Sequence, residues 1–193
     1  MNLRKTVDEL NPKYQTRRVV LVDLEDNEIG EAGLIEAHRD PGMKHRAFSL
    51  VLYRRIDDKF EILLQQRSAE KPVFPLFWTN TCCYNLVKGE GYLTRAVSRV
   101  KEEMGIEIPV ESLRQLYKFS YYAPDIEGWC ENELDTVIVG QWDGEIHINP
   151  EEVAEYKWMQ VSELERDIQI NPEIYSLWFK MILADPRFRT VFE

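Results

Sequence analysis

Residues 89–106, GEGYLTRAVSRVKEEMGI, hold the clearest change of period in the chain. Leu93, Ala96, Val97, Val100 and Met104 recur at spacings of three, one, three and four, the apolar stripe of an amphipathic helix. Gly105 stands where such a helix stops. Glu102 and Glu103 fall in its last turn. One reading is a solvated helix end. Acidic side chains there oppose the helix macrodipole, however, and paired hard carboxylates are what Mg²⁺ takes when it also bridges phosphate oxygens.

On either side of this helix the composition is that of strands. Residues 18–24 (RVVLVDL) are rich in β-branched side chains and are followed by turn residues. Residues 47–53 and 60–66 are apolar runs of strand length separated by Asp57-Asp58, which predicts a hairpin. Residues 116–123 and 135–142 return to strand composition. Ser162 and Glu165 have the spacing of a capping box for a short helix. A last helix is expected after Asn171, with Pro172 first and Ile174, Leu177, Trp178, Met181 and Ile182 on its buried face. Together these predict one mixed α/β domain, with no repeat or flexible linker to divide it.

The whole chain is consistent with that. Its 193 residues carry 24 Lys+Arg against 34 Asp+Glu, a net charge of −10, and 44% are hydrophobic. A chain of this size buries a substantial core. The acidic balance lacks the basic footprint of a nucleic-acid or anionic-membrane binder, so an anionic ligand needs a local cation cluster or a metal. No run approaches the roughly 20 apolar residues of a membrane span, and the polar opening residues lack a signal-peptide core. The three cysteines, two of them adjacent at Cys82 and Cys83, form no disulfide framework. A soluble cytoplasmic protein is expected.

Glu90, Glu102, Glu103, Gly105 and Ile106 fall at the spacing of the Nudix box, Gly-x5-Glu-x7-Arg-Glu-U-x-Glu-Glu-x-Gly-U with U aliphatic. The box is incomplete: its first Gly is Tyr84, its Arg is Ser98, and the following Glu is Arg99. From about Val19 to Ile182 the chain resembles one branch of that superfamily, the type 1 isopentenyl-diphosphate isomerases. The carriers are QQRSAEK at 65–71, FWTNTCC at 77–83, WCENE at 129–133, and His38 and His45 seven residues apart. The resemblance implies a single-domain, Nudix-type α/β/α sandwich with a mixed sheet, extended at both ends.

It also implies roles. Cys83 and Glu133 would face each other across the allylic carbons of a five-carbon diphosphate, since moving a double bond requires an acid and a base on opposite sides. Tyr121 would hydrogen-bond to the catalytic carboxylate, and Trp178 would stabilise a tertiary carbocation by its π face. Periodicity alone makes Trp178 a core residue, and free cysteines are commonly packing residues; the resemblance supplies the functional reading of both. Arg67, Lys71 and Arg99 would meet the diphosphate, with Mg²⁺ at Glu103. Glu131 and Glu133, two apart on a strand, share a face. With His38 and His45 they make a mixed nitrogen and oxygen site of a kind that Zn²⁺, Mn²⁺ or Fe²⁺ accepts.

Two departures fall on this site. The third metal-binding histidine of the family is replaced by Asn85, which is expected to weaken Zn²⁺ in favour of Mn²⁺ or Mg²⁺. A family lysine four residues before His38 is replaced by Leu34. The expected activity is interconversion of isopentenyl and dimethylallyl diphosphate by a monomer or homodimer. The alternatives are a superfamily enzyme acting on another prenyl or nucleoside diphosphate, and a non-catalytic diphosphate-binding protein.

Overall fold

The computed structural model describes residues 9–192; residues 1–8 of the polar opening stretch lie outside the described residues. In chain order the helices are α1 (Pro12–Thr16), α2 (Leu34–Ala37), α3 (Tyr92–Met104), α4 (Val161–Ile170), α5 (Leu177–Ala184) and α6 (Pro186–Arg189). The strands are β1 (Arg18–Val22), β2 (Glu28–Gly33), β3 (His45–Ile56), β4 (Lys59–Arg67), β5 (Trp78–Thr79), β6 (Cys82–Asn85), β7 (Leu113–Pro124), β8 (Cys130–Gln141) and β9 (Val153–Gln160). They form one mixed sheet organised around β3.

β3 runs parallel to β8 from His45↔Glu133 to Tyr53↔Gln141. It also pairs antiparallel with β1 at His45, with β6 over Ala47–Leu50 and with β4 over Tyr53–Ile56. The expected hairpin is present: Ile56 pairs with Lys59 across Asp57 and Asp58, which have φ of 46° and 62°. Left-handed backbone at both positions is what a two-residue hairpin requires to match the twist of its strands.

Because side chains alternate across a strand, β3 feeds two cores. Phe48, Leu50 and Leu52 point to the face covered by α3, packing with Ala96, Val100 and Met104. Val51 points to the other, where Trp178, Phe179 and Ile182 of α5 and Leu164 of α4 pack. The result is the α/β/α sandwich. Gly105 ends α3 with φ 67°, and a Cβ there would lie 2.7 Å from the His147 carbonyl oxygen.

Two sequence expectations need correction. The last helix does not begin at Pro172: residues 172–174 make a separate 3₁₀ turn, and α5 starts at Leu177 because Tyr175 is extended and its segment bridges to Trp78. Ile174 and Met181 are consequently exposed. Ser162 is not a cap either, since β9 runs directly into α4 and places it inside the helix with Gln160 at the N-cap position.

Candidate active site

The face of the sheet under α5 carries the chemistry. On β3 the residues pointing there are His45, Ala47, Ser49 and Val51. Register then decides their neighbours: Cys83 lies opposite Ser49 and Asn85 opposite Ala47 on β6, while Glu133 lies opposite His45 and Asp135 opposite Ala47 on β8. Tyr121 of β7 lies opposite Glu133. Cys83 and Glu133 thus reach the same cleft from strands flanking β3, together with Tyr121, Arg67, Lys71, Arg99, His38, Asn85, Glu131 and Trp178.

Asn80 organises the thiol side. Its Oδ1 accepts from Cys83 Sγ at 3.2 Å, from Trp178 Nε1 at 3.1 Å and from Thr79 Oγ1 at 2.9 Å. Its Nδ2 is fixed by the Leu50 and Cys82 carbonyls, both at 3.0 Å. The fully buried Asn80 therefore orients thiol and indole with one oxygen. Burial, reinforced by the acidic Asp135, pushes the Cys83 thiol up to about 12, so it holds its proton at neutral pH. Ser49 lies 3.5 Å from that sulfur and donates to Asp135 at 2.7 Å.

On the carboxylate side, Tyr121 Oη donates to Glu133 Oε2 at 2.5 Å. Burial and the neighbouring Glu133 hold the Tyr121 phenol well above its ordinary value, so it remains a donor. Trp178, 2% exposed, stacks on Tyr121 with centroids 6.0 Å apart and meets Phe74 edge-on at 5.4 Å.

His38, His45, Glu131 and Glu133 converge, with ligand-type atoms all within 4.8 Å of one another and all four side chains buried. The Nδ1 atoms of the histidines donate to the carbonyls of Leu34 and Met43 at 2.7 and 2.8 Å, which turns each Nε2 toward the carboxylates. His38 Nε2 lies 2.9 Å from Glu131 Oε2, a buried oxygen that receives no directed hydrogen bond. Two imidazole nitrogens facing two carboxylates is a donor set that fits a divalent cation. Burial disfavours the His38 imidazolium, but the adjacent Glu131 outweighs it and raises the pKa. Asn85 enters with its amide nitrogen, donating to His45 Nε2 at 3.0 Å and to Glu133 Oε1 at 2.5 Å. It presents a donor, not a metal-ligating oxygen.

Glu103 sits deeper, fully buried, and its oxygens meet Arg99, Lys71 (3.5 Å) and Gln65 (3.2 Å). Lys71 and Arg99 also meet Glu152, the latter at 3.4 Å. Burial opposes ionisation of Glu103, and Lys71 and Arg99 overcome it to hold the pKa low. In this arrangement Glu103 is a counter-ion, and Mg²⁺ would have to compete with Lys71 and Arg99 for its oxygens. Of the residues with no role in the sequence reading, Asp135 extends the alternation Glu131, Glu133, Asp135, a visible period-2 signal. Glu152 had none, being 81 residues from Lys71.

Comparison with known proteins gives the family. The NUDIX domain model matches residues 43–178, so the chain belongs to the Nudix superfamily. The fold agrees with solved structures at low identity: a Deinococcus radiodurans protein, DR0079, has a TM-score of 0.67 at 20% identity, covering 86% of this chain and 96% of that one, and a MutT protein from Methanosarcina mazei has 0.58 at 15%, covering 77% and 94%. The chain is 38% identical over 174 residues to an isopentenyl-diphosphate Delta-isomerase of Nocardia farcinica, spanning 89% of this chain and 96% of that one. It is equally 38% identical to isopentenyl-diphosphate Delta-isomerase 2 of Photorhabdus laumondii, spanning 91% and 95%. Within the superfamily the chain belongs to the type 1 isopentenyl-diphosphate Delta-isomerase family.

Proposed function

We propose that this enzyme interconverts isopentenyl and dimethylallyl diphosphate by proton transfer from Cys83 and to Glu133. The observation that carries this reading is the pairing of a protonated thiol with a tyrosine-held carboxylate across one cleft bordered by Trp178. Cys83 gives its proton to the terminal alkene carbon, which leaves a tertiary carbocation. Glu133 removes a proton from the carbon nearer the diphosphate, and the double bond forms there. No electrons are gained or lost overall, and returning one proton to the thiolate resets the site. The indole face of Trp178 stabilises the cationic centre, a contact worth about 2 kcal/mol when desolvated. Asn80 keeps thiol and indole aligned, and Tyr121 holds Glu133 in place.

His38, His45, Glu131 and Glu133 would hold a divalent cation, Zn²⁺ or Mn²⁺, beside this pair. When bound, such a cation would supply the positive charge that keeps both carboxylates ionised. Asn85→His adds a third imidazole and removes the competing donor, so Zn²⁺ affinity should rise by about 10- to 100-fold. Titration with a chromophoric chelator checks this, and an unchanged affinity would remove Asn85 from the metal site.

Hydrolysis of a diphosphate is disfavoured by what surrounds the helix carboxylates. Glu102 meets Arg95 and Arg99 at 3.1 and 2.7 Å, and Glu103 is closed by Lys71 and Arg99. They form ion pairs in place of an open acidic cradle. Among the described residues no helix is long and apolar enough to cross a membrane, and the three free thiols suit the reducing cytoplasm.

The direct test is NMR of the protein with isopentenyl diphosphate and Mg²⁺ in D₂O, with Mn²⁺ or Zn²⁺ in parallel samples. Dimethylallyl diphosphate carrying deuterium is the expected product. Release of inorganic phosphate or diphosphate without isomerisation would transfer the protein to the hydrolase reading.

A further inference from the structure

Two of the four Lys and Arg side chains that line the cleft, Arg67 and Arg17, form no ion pair among the described residues. Lys71 and Arg99 are held by Glu103 and Glu152, with Lys13 also on Glu152 at 2.8 Å and Glu102 also on Arg99 at 2.7 Å. Arg67 spends its Nε and Nη2 on the carbonyls of Val73 and Phe74 and meets no carboxylate among the described residues. Arg17 is the second such cation. It follows α1 and enters the same cleft.

Arg17 is held for a purpose its own partners do not exhaust. Nη2 donates to the Asn85 carbonyl at 2.7 Å, and the guanidinium lies over the Tyr84 ring, its central carbon 3.6 Å from the centroid. The buried Nε has no partner. The charged groups closest in effect are Arg95 and Arg99, which also sit over Tyr84, at 4.3 and 4.9 Å. Those two have carboxylate partners in Glu90, Glu102 and Glu103, whereas Arg17 has none among the described residues. Burial and these like charges lower its pKa. An immobilised guanidinium with a spare N–H, packed beside other cations and lacking a counter-ion, is built to receive an anion.

We propose that Arg17, with Arg67, binds the diphosphate of the substrate directly, through an element at the start of the described chain that lies outside the Nudix domain match. The chemical identity of the anion rests on the isomerase reading above; the presence of an anion site does not. Leu34 offers an independent handle. Its backbone N–H donates to the Arg17 carbonyl at 2.8 Å and its side chain lines the same cleft, so a lysine there returns a cation to the same place.

The experiment is calorimetric titration with inorganic pyrophosphate alongside steady-state kinetics with isopentenyl diphosphate. Arg17→Gln keeps a planar hydrogen-bonding group over Tyr84 and deletes only the charge; Arg17→Ala deletes both. Both should weaken pyrophosphate binding and raise KM at least about tenfold, the scale of one charge-assisted hydrogen bond, with kcat within about threefold. Leu34→Lys added to Arg17→Gln should recover most of the loss, which a purely structural role would not allow. Unchanged pyrophosphate affinity in Arg17→Gln, with isomerisation intact, overturns the assignment and leaves the isomerase reading standing. Weakened pyrophosphate binding in a protein that never isomerises supports Arg17 and sinks the isomerase reading instead.

Discussion

Cys83→Ala and Glu133→Gln should each reduce isomerisation by about 10²- to 10⁴-fold, the range spanned by a positioned proton-transfer group. Substrate binding should change little, because neither side chain is a cation that would pair with the diphosphate. The physical reason is specific to this cleft. Alanine removes the thiol that Asn80 orients from the β6 side. Glutamine keeps the acceptor for Tyr121 but cannot take a proton. Since burial pushes the Cys83 thiol up to about 12, its protonated form should persist across the physiological range. The alkaline limb of the rate profile should therefore not appear in the ordinary thiol range around 8.5. Turnover measured by deuterium incorporation checks all three expectations, and full activity in either variant would remove that residue from the mechanism.

Glu103→Ala should be the most damaging substitution for stability, at about 3–5 kcal/mol, because it strands buried cations instead of deleting a whole pair. Lys71 would be left with Glu152 alone, which it shares with Lys13 and Arg99, and Arg99 would keep only that carboxylate and the half-exposed Glu102. For a domain of this size the loss is on the order of 10 °C in thermal midpoint. Glu102→Ala is the control: its side chain is 46% exposed, and the pairs it makes contribute less than about 1 kcal/mol. The same network sets a pH dependence. Lys71 and Arg99 hold the Glu103 and Glu152 carboxyls below their unfolded values against the cost of burial. Their stabilisation is present above the ordinary glutamate pKa of about 4.3 and is lost as pH falls below it through the depressed values. Calorimetry from pH 7 to 3 should show a steep loss of stability in the native chain and a shallower one in Glu103→Ala.

The elements most legible in the sequence were those with a strong local period. The stripe from Leu93 to Met104 and the stop at Gly105 became α3, and the two apolar runs around Asp57-Asp58 became the β3–β4 hairpin. The start of α5 was less legible. A proline at a first helical position and an apolar series starting at Ile174 are equally compatible with a 3₁₀ turn followed by a new helix, and the bridge from Tyr175 to Trp78 is what separates them. That contact joins residues nearly a hundred apart and leaves no mark in either neighbourhood.

The candidate site divides the same way. Residue types and order along the chain were sufficient to bring forward Cys83, Glu133, Tyr121, Trp178 and the two histidines, because those signals are short strings and period-2 alternations that resemble a known family. Which charges are free and which are matched was decided only in three dimensions. Glu103 is a buried counter-ion because Lys71 and Arg99 reach it, and Glu152 joins them from a distant loop. Asn85 faces His45 and Glu133 with its nitrogen, and Arg17 enters the cleft from before the first strand. Electrostatic pairing depends on distance in space and on burial, and neither is local in sequence.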